Sequence, residues 1–113
     1  MKAAILMAAL LIFTGCHTHP FEITVENRSG TPIRLLEVDY PSASFGADNL
    51  AAGEIYRDKV QLRGSGAVKV AYTAADGRLM QSTGVELAER EEGRLEIVLL
   101  GEGKVEFHPQ FAK

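Results

Sequence analysis

The chain has 113 residues, 12 Lys and Arg against 15 Asp and Glu, and a single cysteine. That length suits one domain, and one cysteine leaves no intrachain disulfide. The mild acidity and the scattered cations argue against the basic stripe of a nucleic-acid binder and against polybasic contact with anionic lipid.

Met1-Lys2 opens the chain with positive charge, and Ala3 to Phe13 follows as an unbroken apolar run. A short basic start, an apolar run and then small residues form the anatomy of a secretory signal peptide. The run is shorter than the roughly 20 apolar residues that cross a bilayer as a helix. It ends at the only cysteine, in Phe13-Thr14-Gly15-Cys16. These four residues resemble the lipobox of bacterial lipoproteins. The resemblance implies a diacylglyceryl group on the Cys16 thiol, cleavage before Cys16 and acylation of the new amino group. One acyl chain binds a membrane only marginally, whereas two or three hold stably. The same resemblance, with His17 rather than Asp after the cysteine, implies an outer-membrane anchor facing the periplasm.

Cleavage there removes 15 of the 113 residues and leaves 98. Lys2 leaves with them, so 11 cationic side chains face 15 anionic ones, a net charge of −4. The expected organisation is a helical signal peptide over residues 1–15, a short lipidated tether over 16–20 and one domain over 21–110.

From Phe21 the chain reads as short strands between turns. Phe21, Ile23 and Val25 alternate with Glu22, Thr24 and Glu26, the period-two signature of a half-buried strand. Asn27 to Pro32 carries turn residues. In Ile33 to Tyr40 the apolar parity switches between Leu35 and Leu36, which predicts a β-bulge there. Pro41 to Leu50 reads as a loop or short edge strand containing Phe45. Glu54 to Leu62 and Ala67 to Ala74 follow as strands. Asp76-Gly77 is the strongest hairpin signal, because Gly supplies the positive φ that such turns need. Arg78 to Leu87, Arg94 to Leu100 and Lys104 to His108 complete the set, with Val105 and Phe107 inward. Val85 to Glu92 also fits a single helical turn.

Seven or eight short strands with frequent turns predict an all-β fold, an antiparallel β-sandwich of immunoglobulin-like architecture. The Cys…Trp…Cys core of true immunoglobulin domains is absent, so the likeness is of architecture only.

The candidate chemistry is sparse. His17 and His19 on an extended segment point the same way, and His108 joins them if the first and last strands are neighbours. Two or three imidazoles are a donor set for Cu or Zn. The acidic run from Glu86 to Glu96 has two interleaved arginines, Arg90 and Arg94, and reads as a solvated loop. No serine sits in a Gly-x-Ser-x-Gly motif, and no Gly-Lys-Ser/Thr phosphate loop is present. Tyr40 and Phe45, among small residues, form the most plausible partner-contact surface, with plugging one end of the sandwich as the plainer role. The expectation is therefore a non-catalytic envelope lipoprotein without a cofactor, held on a membrane through Cys16, that binds or supports an envelope protein. A periplasmic metal-binding lipoprotein using His17, His19 and His108 is the alternative.

Overall fold

In a computed structural model, residues 19–112 are described. The apolar run, the lipobox with Cys16, and His17 lie outside the described residues.

Eight strands follow one another: β1 Phe21–Asn27, β2 Ile33–Tyr40, β3 Ala43–Leu50, β4 Ile55–Val60, β5 Gly66–Thr73, β6 Leu79–Leu87, β7 Gly93–Leu99 and β8 Val105–Phe111. They form two four-stranded sheets, in the orders β4-β1-β7-β8 and β3-β2-β5-β6. Each strand reverses the direction of the one before. All pairings are therefore antiparallel except β1 with β7, which run parallel. The sandwich class matches the expectation. Its likeness to immunoglobulin domains is one of layers, since those arrange seven strands as ABED and CFG.

The alternation read in the sequence is the alternation of burial. Phe21, Ile23 and Val25 of β1 meet Leu95, Ile97 and Leu99 of β7 on the inner face of the first sheet, all 1% exposed or less. Val38, Val68, Val70 and Tyr72 face them from the second sheet. Each fully buried aliphatic side chain contributes about 1.5–3 kcal/mol, so this shared layer holds the two sheets together.

The predicted bulge is present. Leu35 takes φ +52° and is 61% exposed, and the β2–β5 register shifts between Arg34 and Glu37. Asp76-Gly77 also turns a hairpin. The Gly77 N–H donates to the Ala74 carbonyl, the Ala74 N–H donates to the Arg78 carbonyl, and Gly77 takes φ +87°. Residues 43–50 are a full strand, and β6 continues to Leu87, where a single helical turn was the other option. β8 runs three residues beyond its expected end, through Pro109 to Phe111.

Pro109 is tolerated because of ladder parity. Hydrogen bonds from Leu100 N–H to the Lys104 carbonyl and from Ala112 N–H to the Glu92 carbonyl fix which β8 residues bond to β7. They are the even-numbered ones, because bonded and non-bonded pairs alternate in an antiparallel ladder. Pro109 falls on the odd set, whose backbone groups point outward, so its missing N–H costs no ladder bond.

Candidate functional site

His19 and Pro20, expected to belong to a tether ahead of the fold, are already part of it. The Gly93 N–H donates to the Pro20 carbonyl at 3.2 Å, which carries the β1–β7 pairing back beyond Phe21. His19 Nδ1 lies 3.0 Å from Glu92 Oε2. Glu92 also holds the other end of the chain, since its carbonyl accepts the Ala112 N–H at 2.8 Å. The segment between β6 and β7 is itself tied down. The Arg90 N–H donates to the Leu62 carbonyl, and the Glu89 N–H donates to Ser65 Oγ. The acidic run therefore clamps both chain ends at one end of the sandwich. Sequence reasoning missed this role for Glu92, because nothing in the run itself shows which strand termini converge on it.

His19 and His108 do not converge, and His17 lies outside the described residues. β7 lies between β1 and β8. His108 pairs with Glu96, which is level with Thr24, five residues beyond His19. At about 3.3 Å per residue that is about 17 Å along the strands. His108 Nε2 lies 3.0 Å from Glu106 Oε1 on the exposed face of the first sheet. Among the described residues no group of three or more His, Cys, Asp or Glu side chains is placed to hold a metal ion.

Tyr40 and Phe45 come together, and a third ring joins them. Phe45 stacks on Tyr56 with centroids 5.6 Å apart and 18° between planes, and Tyr40 meets Phe45 at 6.1 Å. All three pack against the core while keeping part of their surface open. Burial pushes the Tyr40 phenol above its ordinary range, and Asp58 adds to the shift. Phe45 lies on β3 and Tyr56 on β4, so the stack closes one lateral seam between the sheets.

The opposite seam closes differently. The Phe107 ring of β8 lies flat over Gly84 of β6, where a Cβ would stand 2.4 Å from three of its carbons. Only glycine admits the ring there.

One buried polar side chain organises the end of the sandwich remote from Pro20. Asn27 is 0% exposed. Its Nδ2 donates to the Thr31, Leu50 and Ala51 carbonyls, and its Oδ1 accepts from the Ser29 N–H and the Ser29 hydroxyl. It thus ties β1 of the first sheet to the end of β3 in the second. Beside it opens an apolar groove of about 330 Å³ lined by Ile33, Tyr72, Met80, Leu100 and the Gly101–Gly103 turn. Burial pushes the Tyr72 phenol upward.

No protein-family model matches the chain, and no curated protein does. Among solved structures it is similar to an NMR structure of a protein from Eubacterium rectale, with a TM-score of 0.60 and 13% sequence identity. The match covers 88% of this chain and 98% of that one. At that identity the likeness shows a shared fold.

Proposed function

We propose that this protein is a lipid-anchored component of a bacterial cell envelope, a non-catalytic β-sandwich held on the membrane through Cys16. The lipobox-like Phe13-Thr14-Gly15-Cys16 motivates the anchor. The observation that carries the reading is the early docking of the tether. Backbone pairing begins at Pro20 and side-chain contact at His19, so at most Cys16, His17 and Thr18 span from lipid to fold. Three extended residues reach about 10 Å. A domain so held lies against the headgroups, where it supports or recognises another envelope protein rather than reaching far into the periplasm. No helix among the described residues is long and apolar enough to cross a membrane, so membrane attachment through a helix of this domain is not required by the reading. By resemblance, His17 after the cysteine favours the outer membrane.

Cys16→Ser tests the proposal. Wild-type protein is expected in the membrane fraction with a lipid-sized mass increment on its N-terminal peptide, and the variant in the soluble fraction or as uncleaved precursor. Wild-type protein that is soluble and carries no lipid overturns the reading.

A further inference from the structure

A sheet edge presents unpaired N–H and C=O groups, and proteins that stay apart guard such edges with charge, proline or bulges. This sandwich has four edges, and three are guarded. The outward backbone groups of β4 belong to Ile55, Arg57 and Lys59, because Asn27 N–H bonds the Glu54 carbonyl and so fixes the parity of that ladder;. Two cations therefore line it. The outward set of β8 contains Pro109, as shown above, and β8 also carries Glu106 and His108. β3 runs unbroken from Ala43 to Leu50 but carries the charge of Asp48, opposite the Leu35 bulge, where its ladder with β2 lacks one pair.

β6 has none of these guards over its first half. Leu79-Met80-Gln81-Ser82-Thr83 contains no charge and no proline, and its pairing with β5 is regular until the bulge that follows Thr83. The Ala74–Arg78 hydrogen bond sets the parity, so Leu79, Gln81 and Thr83 turn their N–H and C=O groups away from β5;. All three residues are exposed, Leu79 by 65%.

We propose that this edge pairs with the same edge of a second copy of the chain, antiparallel, about a two-fold axis at Gln81. The segment is self-complementary in that register. Gln81 faces its own counterpart, and Leu79 faces the partner copy's Thr83 on either side, so each of three residue pairs exchanges two backbone hydrogen bonds. The flanking charges, Arg78 and Glu86, fall outside the paired positions. The two second sheets merge into one of eight strands. Because the axis is perpendicular to that sheet, both first sheets lie on one side of it, together with both Pro20 ends. Both tethers then reach one bilayer with the dimer lying flat. The pairing itself does not depend on the anchor.

Cysteine crosslinking in the full-length chain tests it. Directly opposed residues in a bonded pair have Cα atoms about 5.5 Å apart, within disulfide reach. Gln81→Cys, expressed in the native host and treated with a mild oxidant, is expected to give a disulfide-linked dimer at least tenfold above wild type and above Arg57→Cys on the guarded edge. Leu79→Cys and Thr83→Cys are expected to crosslink when co-expressed and not singly. Gln81→Lys, which sets two cations face to face, is expected to halve the native mass, and mixing it with Gln81→Glu to restore the dimer. Crosslinking of Gln81→Cys no stronger than that of Arg57→Cys overturns the proposal, as does an unchanged native mass for Gln81→Lys. A crosslinked dimer in the soluble fraction would count against the anchor and not against the pairing.

Discussion

The two lateral seams of the sandwich are closed by aromatic rings, and they leave different edges behind. Where β3 meets β4, Phe45 stacks on Tyr56 and meets Tyr40 at a tilt, and both strands bear guards against further pairing. Where β6 meets β8, one ring, Phe107, rests on the bare backbone of Gly84. There β8 is guarded by Pro109 while β6 presents an uncharged run. Closing a seam buries apolar surface and guarding an edge deters pairing, and the comparison separates the two. Both seams meet the first requirement, and only the Phe45 seam meets the second on both of its strands. Asn27 ties the sheets independently of either seam, at the end remote from Pro20.

Substitutions at these three places should separate their contributions. Asn27→Ala is expected to have the largest effect, since it strands three carbonyls, one of them fully buried at Leu50, and removes the acceptor for Ser29. A lost buried partner costs about 1–3 kcal/mol, so a loss of about 3 kcal/mol in urea unfolding is expected. A loss below about 1 kcal/mol would show that the tie between the sheets lies elsewhere. Gly84→Val should cost about 2 kcal/mol by forcing the Phe107 ring out of the seam, within the usual range for overpacking. In that background Phe107→Ala should cost less than it does alone, because the two residues share one contact; full additivity in a double-mutant cycle would refute the contact. Phe45→Ala at the other seam should cost about 1–2 kcal/mol, less than a fully buried Phe, and should leave the oligomeric state unchanged. Pro109→Ala is the smallest. It should change stability by less than about 0.5 kcal/mol, since no ladder bond is gained or lost within the monomer. It would, however, restore an outward N–H and make the β8 edge measurably stickier by light scattering at high concentration.

Much of this fold was legible because local pattern and tertiary environment agree. β1, β5 and β7 alternate with period two, and each has one face in the core. The bulge at Leu35 showed as a switch of apolar parity. Strand β3 was harder to read. Ala43-Ser44-Phe45-Gly46-Ala47-Asp48-Asn49-Leu50 lacks the β-branched residues that favour strands, and its conformation comes from its ladder with β2 rather than from its own composition. The end of β8 was misplaced because proline stops a ladder only where its N–H is needed, and the parity that decides this is set by β7. The parallel partnership of β1 with β7 joins residues more than 70 positions apart and has no local signature. For that reason the site was read less completely than the fold. His19 and His108 looked like possible neighbours until β7 came between them. Nothing near Glu92 shows that it receives both chain ends. Asn27 resembled an ordinary turn residue, although its side chain makes contacts with two turns and a strand end.

Lipidation of Cys16 is open to one direct measurement. Full-length protein expressed in its native host should be extracted from membranes with detergent and its intact mass determined. The expected mass is that of a chain that begins at Cys16 and carries a diacylglyceryl group, with or without a further acyl chain. A chain that retains residues 1–15, or one that begins near Cys16 with a free thiol, would contradict it.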